Sequence, residues 1–91
     1  NYPTDTAAAF VAELSSGLAD CNALLSGLGK AEELDTKDGA RITLDDGRIV
    51  HFRPSGNAPE LRCYSEASDK AAAQALVRDG LALAKSYLKR T

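Results

Sequence analysis

Residues His51–Glu66 read HFRPSGNAPELRCYSE. Two runs of alternating apolar residues, Arg48–Arg53 and Leu61–Glu66, flank a loop of Pro54, Ser55, Gly56, Asn57, Ala58 and Pro59. The pattern predicts two strands joined by a stiff connection, since proline disfavours helix at the residue before it. Upstream, Asp45-Asp46-Gly47 separates Arg48–Arg53 from Arg41–Leu44 and is a strong hairpin signal. Three antiparallel strands in series are therefore expected. Ile42 and Leu44, Val50 and Phe52, and Leu61, Cys63 and Ser65 each share a strand face, while Arg62, Tyr64 and Glu66 share the opposite face of the last strand. Such a sheet needs cover on one side.

Helices supply that cover. Phe10, Leu14, Leu18, Cys21, Leu25 and Leu28 recur at three- and four-residue spacing, the apolar stripe of an amphipathic helix. Thr4 and Thr6 are N-cap candidates with Asp5 in the first turn, and Asn1-Tyr-Pro ahead of them reads as a short extended segment, a candidate strand end. Ser15-Ser16-Gly17 predicts a kink or two consecutive helices, and Gly27 and Gly29 end the pattern. Lys30–Leu34 fits a frayed helix end or a short strand, and Asp35–Gly39 is a turn cluster. After the last strand, Ser68 is a plausible N-cap, with Asp69 in the first turn. Ala72, Leu76, Leu83 and Tyr87, flanked by Ala73, Val77, Ala84 and Leu88, predict a second buried stripe. Gly80 on that face suits a close approach to the sheet, and Lys85, Lys89 and Arg90 suit the helix C-terminus. The fold class is α+β, a two-layer sandwich of a small, mainly antiparallel sheet with two helices on one face, residues 1–91 forming a single domain.

The central loop carries the chemistry. Gly56 and Asn57 readily take positive φ, so consecutive backbone N–H groups can turn toward one point as an anion nest. Arg53 at its mouth offers a planar fork that fits phosphate, Ser55 and Asn57 offer neutral donors, and Arg62 can reach the same point. Pro-Ser-Gly-Asn is equally ordinary turn chemistry, and both readings stand on spacing alone. Glu60 and Glu66 are candidates to hold Arg53 or Arg62, or are solvated strand residues. His51 alternates away from Phe52 onto the open face and has no carboxylate or thiol beside it in sequence, which favours a structural role. No Ser–His–Asp or Cys–His arrangement can be assembled.

Composition narrows the classes. Ninety-one residues with 44% hydrophobic and 26% charged side chains are globular, with room for one modest core. A formal charge of −2 argues against a general nucleic-acid or membrane-surface binder, and no apolar run is long enough to span a bilayer. The two cysteines, Cys21 and Cys63, lack CxxC spacing and read as reduced, buried thiols of a cytoplasmic protein, and the single His supports no metal site.

Arg53-Pro-Ser-Gly-Asn-Ala-Pro-Glu-Leu-Arg62, followed by Cys-Tyr-Ser-Glu-Ala, resembles the phosphate-binding loop of the α-D-phosphohexomutases, the phosphomannomutases and phosphoglucomutases. Asp38-Gly39-Ala-Arg-Ile and Asp46-Gly47-Arg48, at matching distances upstream, strengthen the likeness, which runs from about Asp35 to the C-terminus. The resemblance implies the fourth and last domain of a longer enzyme that interconverts hexose 1-phosphate and hexose 6-phosphate. In that family a phosphoserine of the first domain donates its phosphoryl group through a hexose 1,6-bisphosphate, with Mg²⁺ held by an acidic loop elsewhere. The last domain closes over the phosphosugar and holds the non-reacting phosphate. Carried onto this chain, Arg53, Ser55, Gly56 (by its amide), Asn57 and Arg62 are the implied phosphate contacts. No catalytic or metal-binding residue and no cofactor of its own is implied here. The implied partners are the phosphosugar and the other domains of the parent chain, and the 91 residues alone are expected to be inactive. A Thr is more usual in the family at Asn57 and a Glu at Ala58, so what orients the loop is left open. The competing expectation is a stand-alone α/β interaction module binding protein or RNA on its open sheet face, where Tyr64 is the one aromatic placed to stack a base.

Overall fold

The computed structural model describes residues 2–89. Among these residues the chain forms α1 (Thr4–Leu14), α2 (Leu18–Leu24), β1 (Ala31–Asp35), β2 (Ala40–Leu44), β3 (Ile49–Pro54), β4 (Leu61–Glu66) and α3 (Lys70–Lys89). The strands make one antiparallel meander in the order β1-β2-β3-β4. On one face α1 packs on β2 and β3, α2 on β1, and α3 on β3 and β4. This is the expected α+β sandwich, and the two alternatives the sequence left open resolve as two consecutive helices, α1 and α2, and as a short strand, β1.

In β1, Ala31 and Leu34 both turn toward the core, yet residues three apart point to opposite faces of a regular strand. A bulge between Ala31 and Glu33 resolves the conflict, because one extra residue resets the alternation. The Asn22 side chain fixes the strand's start by accepting the Ala31 N–H at 2.9 Å.

The first helical pattern divides at Ser15-Ser16-Gly17. Ser15 Oγ donates to the Val11 carbonyl at 2.7 Å and Ser16 Oγ to the Ala12 carbonyl at 3.2 Å, local bonds that compete with helix continuation. Phe10, Leu14, Cys21, Leu25 and Leu28 are buried as their spacing predicts, whereas Leu18 opens α2 on the surface at 39% exposure. Neither Thr4 nor Thr6 caps α1. Pro3 holds the cap position without a side-chain bond, because Tyr2 is tied down just ahead of it. The Tyr2 N–H donates to the Pro59 carbonyl and its hydroxyl to the Ala84 carbonyl, both at 2.8 Å. Tyr2 and Pro3 are not in a strand, and Asn1 lies outside the described residues.

At α3 the cap is Asp69 rather than Ser68, its carboxylate accepting the Ala72 N–H at 2.7 Å. A carboxylate satisfies an orphan donor and complements the helix dipole in one contact. Leu76, Gly80 and Ala84 form the buried line of this helix. A Cβ at Gly80 would stand 3.1 Å from Phe52 Cζ and 3.5 Å from Cys63 Sγ, so the missing side chain lets α3 approach β3 and β4. Arg90 lies outside the described residues. Phe10 meets Phe52 edge-on at 5.2 Å and Tyr87 at 5.1 Å, contacts worth roughly 0.5–1.5 kcal/mol each beyond area burial. No helix among the described residues is long and apolar enough to cross a membrane.

Candidate anion-binding site

Because Val50 and Phe52 face the core, Ile49, His51 and Arg53 face outward. The β3–β4 register then sets Arg53 directly opposite Arg62 and His51 directly opposite Tyr64. Directly opposed residues have their Cβ atoms roughly 4.5–5.5 Å apart, and like charges so placed repel. The Arg62 guanidinium has no ion pair or side-chain hydrogen bond among the described residues. The register thus makes two arginines cross-strand neighbours, one paired with an acid and one not.

The loop beyond Arg53 differs from the expected nest. Gly56 and Asn57 do not take positive φ; the left-handed positions are Gly39 at +77° and Gly47 at +91°. Residue type permits a left-handed turn, but this loop is long enough to reverse without one. It is closed by the Ser55 N–H donating to the Glu60 carbonyl at 3.0 Å and the Glu60 N–H donating to the Ala58 carbonyl at 2.8 Å. Ser55 is buried, and its Oγ accepts the Asn57 N–H at a long 3.4 Å, so its hydroxyl shapes the loop while its proton remains available to donate. Gly56 and Asn57 are exposed. The Gly56 N–H has no partner among the described residues, and a Cβ there would meet nothing within 4 Å. The structure thus makes Arg53 and Arg62 cross-strand neighbours and leaves Gly56 and Asn57 exposed in the loop that joins their strands, with Ser55 buried in the same loop.

Beside Arg53 stands a turn whose role the sequence did not reveal. Arg53 Nη1 donates to Asp38 Oδ2 at 3.1 Å, and His51 Nε2 donates to the Asp38 carbonyl. Of the two readings of Glu60 and Glu66, as holders of a site arginine or as solvated residues, the first is not met and both side chains are exposed. Glu66 pairs with Arg41 at 3.0 Å, because Arg41 and Glu66 point outward on strands flanking β3, and Glu60 forms no ion pair among the described residues. The Asp38-Gly39 dipeptide was legible as a turn, and the signal that could have marked it further is a carboxylate next to an obligatory glycine.

The remaining titratable groups belong to the scaffold. Arg48 donates to the Asp46 carboxylate at 2.7 Å and to the Leu28 carbonyl, pinning the β2–β3 hairpin to the turn that follows α2. Hydrogen bonds from the Arg48 backbone, then from its side chain, hold the Asp46 carboxyl below its ordinary value. Cys21 and Cys63 are free thiols. Burial raises the Cys21 thiol and pushes Cys63 up to about 12, so neither is a ready nucleophile.

The strands and loop of the candidate site lie within a match to a known family. Residues 3–82 match the family model described as Phosphoglucomutase/phosphomannomutase, C-terminal domain. The chain belongs to this family. It is 50% identical over 88 residues to a phosphomannomutase of Sinorhizobium fredii, a match covering 97% of this chain and 19% of that relative. A phosphomannomutase of Salmonella muenchen is 54% identical over 56 residues, 62% of this chain and 12% of the relative. A phosphoglucosamine mutase of Methanococcus aeolicus is 43% identical over the same length and shares. The chain thus spans less than a fifth of the curated relatives it matches, aligning with the C-terminal domain of the phosphoglucomutase/phosphomannomutase family.

Proposed function

We propose that this chain is the substrate-phosphate-binding domain of a cytoplasmic phosphohexomutase that interconverts hexose 1-phosphate and hexose 6-phosphate, and that alone it binds phosphosugar weakly without catalysing the reaction. The observation that carries the reading is the Arg53–Arg62 pair fixed face to face by the β3–β4 register, beside the unpartnered Gly56 N–H. Arg53 and Arg62 neutralise the phosphate dianion, and Gly56 and Asn57 donate from the loop side. Such contacts perform no bond chemistry. They fix the remote end of the sugar so that its other end is presented to a nucleophile elsewhere, and binding energy at a non-reacting group orients the reacting one.

The rim these residues would form is open, and closure over the substrate requires other domains of the parent chain. Mg²⁺ and hexose 1,6-bisphosphate enter the proposal only for the full-length enzyme. The open sheet face gives an RNA-binding reading little to use. Tyr64 is 45% exposed and leans on His51 at 5.8 Å, while Glu33, Asp35 and Glu66 are exposed on strands of the sheet.

Titration of the ¹⁵N-labelled chain with mannose 1-phosphate tests the proposal. Amide shifts concentrated at Arg53–Asn57 and Arg62, abolished in Arg53→Ala, are the expected result. Shifts absent at millimolar ligand, or identical in Arg53→Ala, refute phosphate binding at this rim, and a salt-sensitive shift of single-stranded RNA in a gel would favour the interaction module instead.

A further inference from the structure

We propose that Asp38 is a positioning residue of the phosphate site, its carboxylate aiming the Arg53 guanidinium at the ligand; the inference rests on the phosphate reading above. A guanidinium offers two forked edges. Asp38 Oδ2 takes only Nη1, at 3.1 Å, which leaves the Nε/Nη2 edge free for a bidentate phosphate. The backbone that carries the carboxylate is held from two sides. The Asp38 carbonyl accepts the His51 Nε2–H, which assigns the ring tautomer because a carbonyl can only accept. Next to it, Gly39 lies flat on the end of β3 with φ +77°, where a Cβ would fall 2.3 Å from the Phe52 carbonyl oxygen and 2.9 Å from Arg53 Cβ. That close seat fixes the turn against the residue whose side chain Asp38 meets. Arg53, opposed by Arg62 across the ladder, would otherwise be driven from the rim in the absence of an anion. The pair is solvent-exposed, with 43% and 64% of the two side chains accessible, so it adds little to stability and its removal reads on aim rather than on folding.

The test is a double-mutant cycle on the 91-residue chain with mannose 1-phosphate as the probe, using Asp38→Ala, Arg53→Ala and the double variant, with Asp38→Asn as the conservative substitution. Asp38→Ala is expected to weaken binding about fivefold or more when Arg53 is present and less than about twofold when it is absent. Asp38→Asn keeps an oxygen for Nη1 and is expected to recover most of the loss. In the ligand-free chain, relaxation at Arg53 Nε should show a more mobile side chain in Asp38→Ala, with the β3 amides unchanged. Affinity equal to or above wild type would show that the carboxylate competes with phosphate and overturn the proposal. An equal loss in both backgrounds, or unaltered Arg53 order, would overturn it too. If Arg53→Ala itself leaves the titration unchanged, the phosphate reading has failed and this inference falls with it, whereas a loss with Arg53→Ala alone refutes only the role of Asp38.

Discussion

Gly39→Ala should be among the most damaging single-methyl additions to this chain, and Gly47→Ala provides its control. Both glycines have positive φ, +77° and +91°, so alanine at either incurs a backbone cost of roughly 1–2 kcal/mol. At Gly47 a Cβ would meet nothing within 4 Å, and that cost is the whole effect. At Gly39 the Cβ would lie 2.3 Å from the Phe52 carbonyl oxygen, with Arg53 Cβ at 2.9 Å, whereas carbon and oxygen normally stay about 3.3 Å apart. Both obstacles belong to β3, whose inward residues Val50 and Phe52 are fully buried, so relief requires about 1 Å of backbone movement in a packed strand, a further 1–3 kcal/mol or so. The total, about 2–5 kcal/mol, is a large part of the roughly 5–15 kcal/mol that holds a domain folded. At about 4–8 °C per kcal/mol for a domain of this size, a mid-range loss of about 3 kcal/mol lowers Tm by about 12–24 °C. Urea unfolding followed by circular dichroism, with unchanged slopes licensing the comparison, measures both variants. A Gly39→Ala loss within about 0.5 kcal/mol of the Gly47→Ala loss would show that the turn does not sit on β3 as described.

Gly56→Ala should behave in the opposite way. The position is not left-handed and a Cβ meets open space, so stability should hold or rise by roughly 0.4–1 kcal/mol while mannose 1-phosphate binding falls, and undiminished binding would mean that no ligand approaches this amide. The chain should lose stability in alkali. A Cys63 thiol raised by burial to about 12 keeps its proton in the folded state while the unfolded thiol releases it near its ordinary value of 9.0. Its stabilisation is therefore complete below that lower value and lost as pH climbs toward the upper one. Cys63→Ala should flatten this limb in pH-dependent urea melts, and an unchanged slope would assign it to the Cys21 thiol or the Tyr2 phenol, which burial also raises. Purified chain, free of host mutase, should not interconvert glucose 1-phosphate and glucose 6-phosphate in a coupled assay; turnover above the blank would place catalytic residues where none is proposed.

Much of the fold was legible because its signals are local. The alternation of Val50 and Phe52 and the Asp-Asp-Gly turn each occupy a few residues, and every inward position they imply in β2 and β3 is buried. The strand at Ala31–Asp35 was ambiguous for an equally local reason, since its bulge breaks the period that identifies a strand. Side-chain pairing was less legible. Arg53 finds Asp38 across 15 residues and Arg41 finds Glu66 across 25, and both partners are decided by register, which appears only when the strands are laid side by side. The nest expectation failed differently. Glycine and asparagine permit positive φ, but whether a loop uses it depends on its length and closure, and here the Ser55–Glu60 bond closes the loop without it.

Gly39 and Gly56 together separate what the fold requires from what a ligand would require. Gly39 lacks a side chain because β3 occupies the space where one would stand, and its conformation is one that other residues reach only at a cost. Nothing inside the chain explains Gly56: its backbone is not left-handed, its Cβ position is empty, and its N–H is unpartnered among the described residues. The Ala58 N–H of the same loop also has no partner among the described residues, so two amides of the Arg53–Arg62 connection are open to a group arriving from outside. Under the proposed function that group is the phosphate of a sugar phosphate, which would meet Arg62, whose guanidinium has no ion pair among the described residues, and the edge of Arg53 that Asp38 leaves open.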